Sequence, residues 1–408
     1  MAELLSDLLR AEADTLDVPP APVHEIVTAG RGMRRRRRWS GTLVMAAAAA
    51  SVVVGGLVLS PGLRDDLPPD PSVALHERVD ATFSASETAA AQEALRSDGA
   101  YAVGSRVYLG DEAYGVEVGD PAVRGLYYTS AGVLVRHGKD YAMDGSSRDS
   151  YSLVGTDGSL TGLDLRIGDV SPSTDPTQPY FAYARRGSES DWEVVLLDLR
   201  DGTPAAIVPL DGDFTWGGWA APPVALSGER VYVGLDDATV AVEWHTGEVT
   251  RTPLPASSYP DVNADRYLQV DNGVSDDGME LAARVQVRDA LTGDTLFDVD
   301  AGDRWASLSP DGRYVLILPY LLVGDRGQVQ RTEGAKLHDI TTGATMALPA
   351  SEVGGYGWTP EGRLFSVTRH DVTMCDPQAR ACETRPLGAD ITDEDLATIR
   401  LGGVVNES

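Results

Sequence analysis

Short runs of alternating apolar and polar residues recur along residues 101–388, and turns separate them. A period of two predicts β-strands with one buried face. Pairs of such runs flank a glycine-containing turn, as in VVLLDLRDGTPAAIVPL and KLHDITTGATMALP. Glycine suits these positions because a tight hairpin turn needs a residue at positive φ. The turn glycines are Gly158, Gly202, Gly247, Gly293 and Gly343, spaced 44, 45, 46 and 50 residues apart.

A repeat of about 45 residues that holds four short strands is typical of a β-propeller blade. A β-sandwich is the competing all-β fold, but its strands do not repeat at constant spacing. We predict an all-β fold, a β-propeller over residues 101–388, with seven blades favoured and six as the alternative. Full units fall at 125–165, 170–210, 214–255, 258–300, 305–350 and 354–388, and an additional hairpin at 106–118 begins an irregular first blade.

Residues 39–60 show a different pattern, an uncharged and mostly apolar run without alternation. About 20 such residues make a helix that spans a bilayer. An arginine run precedes it: Arg34, Arg35, Arg36, Arg37 and Arg38. Positive charge on one side places the N-terminus in the cytoplasm. We predict a signal-anchor transmembrane helix and a single-pass plasma-membrane protein with an extracytoplasmic propeller; a buried soluble helix and a cleaved signal peptide are the alternatives.

The flanking segments complete the predicted domain organisation. Residues 1–38 form a cytoplasmic tail in which Leu4, Leu5, Leu8 and Leu9 share one helical face. This amphipathic helix either lies at the membrane surface or docks a cytoplasmic partner. Residues 61–100 are a proline-rich stalk and linker with the helix-like stretch SETAAAQEALRS, and residues 389–408 are a C-terminal helix and tail.

The turn that opens two of the units carries a recognisable signature. Ser309, Pro310, Asp311 and Gly312 stand in SLSPDGRYVLI, and Pro360 and Gly362 stand in GWTPEGRLFSV. These turns resemble the signature of TolB-like and WD-repeat-like bacterial propellers. The whole layout is similar to that of actinobacterial single-pass proteins with a short tail, an arginine run and an extracytoplasmic propeller. The resemblance implies blade architecture and gives almost no information about function.

Charge and motifs narrow the function further. The formal charge of −28 argues against nucleic acid as a partner. Neither G-x-S-x-G nor H-E-x-x-H occurs, and the six histidines stand singly. Asp261, Asn263 and Asp265 have the spacing of a calcium loop, but Arg266 stands where that loop requires glycine. We therefore predict no catalytic residue, no cofactor and no metal site.

Two residue types keep alternative interpretations. Trp216, Trp219, Trp305 and Trp358 lie near blade openings, where they either pack between blades or rim the central channel. Cys375 and Cys382 are the only cysteines, and they flank the outer hairpin of the last unit, which has no turn glycine. We predict that they form a cross-strand disulfide, which an extracytoplasmic location permits; two free thiols are the alternative.

The resulting hypothesis is a non-enzymatic binding, scaffolding or sensing module. Its partners are the membrane, through one helix, an unknown extracytoplasmic protein or glycan, and a cytoplasmic partner for residues 1–38. One alternative is a propeller enzyme acting on glycan or cell-wall material, which needs two carboxylates within about 5–10 Å of each other. Another is a membrane regulator that signals to a cytoplasmic sigma-type factor.

Overall fold

The chain divides into two units, residues 1–65 and 66–408, and every residue described below belongs to the second. The computed structural model describes residues 75–139, 149–165, 167, 173–215, 220–256, 260–271, 283–302, 304–319, 334–351, 355–387 and 391–403. No helix within these ranges is long and apolar enough to cross a membrane. The predicted cytoplasmic tail, the predicted transmembrane helix and the first part of the stalk and linker, together residues 1–74, lie outside them, and so does the arginine run at 34–38.

The described chain begins with a strand, a helix and three further strands. The helix is capped by Ser84, whose hydroxyl accepts from the backbone N–H of Glu87 while the Glu87 carboxylate accepts from the Ser84 N–H. The elements are β1 (Leu75–Val79), α1 (Ala85–Asp98), β2 (Ala100–Val103), β3 (Arg106–Leu109) and β4 (Gly115–Glu117), with a 3₁₀ turn at Glu112–Tyr114.

Six groups of four strands follow, and each group forms one antiparallel sheet, numbered here as blades 1 to 6; β1 also joins the sheet of blade 1. Blade 1 contains β5 (Ala122–Thr129), β6 (Gly132–Gly138), β7 (Ser150–Val154) and β8 (Leu160–Leu163). Blade 2 contains β9 (Ser173–Thr174), β10 (Tyr180–Arg186), β11 (Trp192–Asp198) and β12 (Pro204–Leu210). Blade 3 contains β13 (Val224–Ser227), β14 (Arg230–Gly234), β15 (Thr239–Glu243) and β16 (Glu248–Arg251).

The next three blades repeat this plan. Blade 4 contains β17 (Val262–Asn263), β18 (Arg266–Asp271), β19 (Ala283–Asp289) and β20 (Thr295–Gly302). Blade 5 contains β21 (Arg304–Leu308), β22 (Tyr314–Pro319), β23 (Lys336–Asp339) and β24 (Thr345–Ala347). Blade 6 contains β25 (Gly357–Trp358), β26 (Leu364–Val367), β27 (Asp371–Asp376) and β28 (Ala381–Pro386).

The seventh blade is built from both ends of the described chain. A short helix, α2 (Asp393–Leu396), leads into β29 (Arg400–Leu401), which pairs with β2 through Tyr101↔Leu401 and Ala102↔Arg400. β29, β2, β3 and β4 form a sheet in that order, with β29 innermost. The fold is therefore a seven-bladed propeller, as predicted. The helix is shorter than the sequence suggests for residues 389–400, because the chain returns to the ring as a strand.

Each seam between neighbouring blades is filled by its own hydrophobic cluster. Val194 and Leu196 of blade 2, for example, pack with Val231 and Val233 of blade 3. Seven such clusters are present among the described residues, one for each seam of a closed ring. Successive residues of a strand point to opposite faces of the blade, and radial stacking buries both faces.

Candidate functional site

The innermost strands of the blades surround a central channel that contains a cavity of about 80 Å³. Small ligands are usually bound in pockets of about 300–1,000 Å³, so this cavity is small for such a ligand. Its lining comes from the innermost strands and the turns that follow them: Leu126, Tyr127, Tyr128, Ser173, Thr174, Pro176, Ala225, Pro260, Asp261, Val262, Asn263, Leu308, Pro310 and Gly403.

The chemistry of this lining differs from that of a glycosidase. Asp261 is the single carboxylate among the lining residues, whereas acid–base cleavage of a glycosidic bond uses a pair. The tyrosine hydroxyl of Tyr128 is buried and accepts a 2.8 Å hydrogen bond from the backbone N–H of Ala100. Burial raises the pKa of this phenol, so it stays protonated at neutral pH. The cavity therefore offers aromatic and backbone contacts rather than acid–base chemistry.

Of the tryptophans near the blade openings, one packs between blades and one is partly exposed, so each of the two interpretations applies to one of them. Trp305 is 37% exposed at the start of the innermost strand of blade 5. Trp358 is fully buried between blades 5 and 6, and its indole N–H lies 3.2 Å from the hydroxyl oxygen of Ser307. Trp216 and Trp219 lie outside the described residues. Core packing is the role of Trp358, while Trp305 presents an aromatic surface at the ring.

Blade 1 contains a hydrogen-bonded set of side chains that sequence reasoning missed. His137 Nδ1 lies 2.8 Å from an Asp120 carboxylate oxygen, and His137 Nε2 lies 2.9 Å from the Ser152 hydroxyl. Burial lowers the pKa of His137, and the nearby Asp120 partly opposes that change. The neutral ring therefore donates to Asp120 through Nδ1 and accepts from Ser152 through Nε2. No spacing rule reveals this set, because its members stand on a loop and two different strands.

This Asp–His–Ser arrangement has the connectivity of a catalytic triad. A nucleophilic serine, however, must reach substrate, and Ser152 is only 4% exposed on the central strand β7. Its neighbour on the same face, Val154, packs into the seam between blades 7 and 1. None of the three side chains lines the channel cavity. The set therefore ties the loop that enters blade 1 to two strands of that blade.

A second buried polar cluster lies next to it. Arg124 and Arg136 both pair with the carboxylate of Asp149, and all three side chains are almost completely buried. Arg136 is also directly opposite Tyr151 in the β6–β7 pairing. Two guanidinium groups share one carboxylate, and a buried network of this kind is stable only while each charged group keeps its partner. This cluster stabilises blade 1 at the ends of β5, β6 and β7.

The signature turn of blade 5 connects neighbouring blades. The Ser309 hydroxyl donates to Asp311 at 2.6 Å and accepts from the Tyr314 N–H at 3.0 Å. Gly312 adopts a φ of +66°, and its carbonyl accepts a 2.6 Å hydrogen bond from Arg266 of blade 4. Pro310 lines the channel cavity. Ser309, Pro310, Asp311 and Gly312 thus shape the channel wall and join two blades.

The second copy of the turn lies in blade 6. Gly362 has a φ of +78°, and its amide N–H donates to the Thr359 carbonyl at 3.0 Å. Glu361, directly after Pro360, pairs at 2.7 Å with Arg96 of α1. The turn therefore contacts α1, which packs in the seam between blades 7 and 1. The two signature copies have matching geometry but different neighbours.

Asn263 and Asp265, two of the three residues with the spacing of a calcium loop, contact neighbouring blades instead. Asp265 accepts hydrogen bonds of 2.8 Å from both Tyr232 and Arg230 of the preceding blade. The Asn263 amide donates to the Leu308 carbonyl at 3.3 Å. Within the described ranges, no group of three or more His, Cys, Asp or Glu side chains could hold a metal ion.

Cys375 and Cys382 are directly opposite each other in the β27–β28 pairing and form a disulfide, as predicted. The bond clamps the outer hairpin of blade 6. Cys375 is fully buried and packs with Trp358 and Leu364, so one side of the disulfide belongs to the seam between blades 5 and 6.

Comparisons with known proteins concern the fold alone. No protein-family description matches the chain, and no curated protein matches it by sequence. A Kuenenia stuttgartiensis hydrazine synthase is similar at 14% identity and a TM-score of 0.39, over 64% of this chain and 78% of that one. TolB from Acinetobacter baumannii is similar at 16% identity and a TM-score of 0.34, over 67% and 66%. The Pan2 WD40 domain of Neurospora crassa is similar at 11% identity and a TM-score of 0.40, over 72% and 86%.

Proposed function

We propose that the chain is a membrane-anchored, extracytoplasmic β-propeller that acts as a non-enzymatic binding module. The observation that carries the proposal is that the polar side chains of the described residues hold the blades together and do not form a site open to a substrate. The Asp120–His137–Ser152 set is buried within a blade, and the channel cavity is small with one carboxylate. Binding of a macromolecule across a face of the ring needs neither a deep pocket nor an activated group.

Anchoring and orientation rest on the sequence and on the disulfide. The uncharged run at 39–60 with its upstream arginine run supports one membrane crossing with the tail inside. A structural disulfide supports an oxidising compartment for the propeller. The layout's resemblance to actinobacterial single-pass proteins agrees with both. In this topology residues 1–38 are available to a cytoplasmic partner.

Single-cysteine labelling tests the topology, because the native cysteines are joined in the disulfide and do not react. Glu229→Cys, in an exposed turn of blade 3, should react with a membrane-impermeant maleimide on intact cells. Ser6→Cys should react only after lysis. The opposite pattern, or a propeller that is released whole into the medium, contradicts the proposed anchoring.

A fluorophosphonate probe separates the binding module from a serine hydrolase. We expect no labelling of the native full-length protein, because the Ser152 hydroxyl is buried. Labelling that is lost in Ser152→Ala but kept in the matched control Ser130→Ala would show an activated serine and would contradict the proposed non-enzymatic function.

A further inference from the structure

Among the residues that the structure describes, blade 1 has a strand that no other blade has. β1 lies outside β8, so the sheet order is β1–β8–β7–β6–β5, whereas the other six sheets have four strands. Strands β5 to β8 alone already match the plan of the remaining blades. β1 is therefore an addition to a complete blade, and the outer edge of β8 is the place where the addition occurs.

The attachment of β1 is short, and the contacts that the structure describes for it are backbone pairings. Its antiparallel pairing with β8 joins Leu75 to Leu163, His76 to Gly162, Arg78 to Thr161 and Val79 to Leu160, and an irregularity interrupts the register between residues 76 and 78. The Val79 side chain is 51% exposed. Main-chain pairing at a sheet edge is the contact by which extended peptides add to a sheet.

The chain after β1 is held independently of it. The backbone N–H groups of Thr82 and Phe83 both donate to the Asp157 carbonyl at 3.1 Å. The helix α1 follows, with Ala91 and Leu95 buried in the seam between blades 7 and 1. Release of β1 would therefore stop near residue 80 and leave the ring and its helix intact.

The outer edges of blades 2 and 3 are less suited to strand addition. β12 of blade 2 contains Pro204 and Pro209, and proline at an edge removes a hydrogen-bond donor and blocks pairing. β16 of blade 3 is fully exposed and has a charged residue at each end, and charged side chains at an edge disfavour pairing. β8 has no proline, and Gly162 at its centre lets another backbone approach closely.

We propose that the outer edge of β8 is a strand-binding site that β1 occupies in cis and that an extended peptide of another chain occupies when β1 leaves. The recognised chemistry is an extended, proline-free segment that pairs antiparallel to residues 160–163. The site is independent of the channel cavity, and it does not depend on membrane anchoring.

The test uses the full-length protein, a variant that lacks residues 75–79, and a labelled peptide of residues 72–80 as the probe. We expect the peptide to bind the deletion variant and to bind the intact protein at least about tenfold more weakly, because β1 competes for the same edge. A variant with His76→Cys and Gly162→Cys, oxidised to lock β1 in place, should not bind. A peptide with Arg78→Pro is the matched control and should bind none of them.

Two results overturn the proposal: a folded deletion variant that does not bind the peptide, or intact protein that binds it as tightly as the deletion variant. Hydrogen exchange on the unmodified protein gives a readout that needs no variant. Amides of residues 75–79 should exchange at least about 100-fold faster than those of β6 and β7. Equal protection of β1 and the central strands would also contradict a releasable strand.

Discussion

The outer hairpins of blades 5 and 6 have the same length and the same turn geometry, but different groups hold them. In blade 5 the turn runs from Asp339 to Gly343, and Gly343 has a φ of +70°. In blade 6 it runs from Asp376 to Arg380, and Arg380 has a φ of +52°. The aspartate carboxylate accepts from two turn N–H groups in both hairpins.

The cross-strand pair next to each turn also differs. His338 and Thr345 face each other in blade 5, and the His338 Nδ1 lies 3.2 Å from the threonine hydroxyl. The corresponding pair in blade 6 is the disulfide between Cys375 and Cys382. The covalent bond therefore occurs in the hairpin whose turn has no glycine.

The cost of a left-handed residue and the stabilisation by a disulfide together explain how both hairpins are stable. A residue with a Cβ in the left-handed region costs roughly 1–2 kcal/mol. A disulfide that closes a loop this short contributes about 2–3 kcal/mol by restricting the unfolded chain. The bond thus more than offsets the strain at Arg380. The blade 5 hairpin has glycine at the equivalent position, and a hydrogen bond takes the place of the disulfide in its cross-strand pair.

Loss of the disulfide is the largest expected effect. Cys375→Ala together with Cys382→Ala should lower the free energy of unfolding by about 2–3 kcal/mol, measured by denaturant titration. Reductant should lower the stability of the parent protein by a similar amount and leave the double variant unchanged. A double variant as stable as the parent would show that the bond does not support the blade.

Gly343→Ala should destabilise the hairpin of blade 5 by about 1–2 kcal/mol, because no disulfide offsets the strain there. An added Cβ meets no atom within 4 Å at this position, so the whole effect would come from the positive φ. Gly355→Ala is the matched control: its Cβ is equally free of contacts and its φ is not in the left-handed region. Equal stability of the two variants would remove the strain argument.

Arg380→Gly should stabilise the protein by up to about 1 kcal/mol, since relief of the left-handed strain exceeds the entropic cost of glycine. Arg380→Ala keeps a Cβ and should bring no gain. Thermal unfolding of both variants under oxidising conditions measures the difference. A glycine variant that is no more stable than the alanine variant would mean that Arg380 is not strained.

The smallest expected effect is the contribution of His338 in blade 5 to the pH dependence of stability. Burial, with a contribution from Lys336, lowers the pKa of His338 below its ordinary value of about 6.5. The unfolded chain therefore takes up the proton first, and stability falls as pH drops below about 6.5. His338→Gln should flatten this part of the profile between pH 7 and 5. An unchanged profile would assign the dependence to another group, such as the similarly shifted His137.

The sequence predicts the parts of the fold that repeat. The turn glycines and the SPDG turn follow local chemistry, and each lies within one continuous unit. Blade 7 is different, because β29 and β2 are about 300 residues apart and β29 contributes only Arg400 and Leu401. A two-residue strand has no period to detect, so residues 389–400 resemble a helix in isolation.

In the candidate site, too, local features could be predicted from the sequence and contacts between distant residues could not. The cysteine pair could be predicted because both partners flank one short turn. The Asp120–His137–Ser152 set could not, because strand pairing brings together residues that share no local pattern. Arg380 shows a third case, in which a turn position is visible only through the absence of the expected glycine.

The two ends of the described chain meet in one blade and close the ring that the proposed binding function requires. Ala102 and Arg400 are directly opposite each other in the β2–β29 pairing. A variant with Ala102→Cys and Arg400→Cys should form a second disulfide on oxidation, because opposite residues in an antiparallel pair are close enough to bridge. Non-reducing peptide mapping should show residues 102 and 400 linked, beside the native Cys375–Cys382 bond. A native bond that forms normally while residues 102 and 400 stay unlinked would contradict the closed seven-bladed ring.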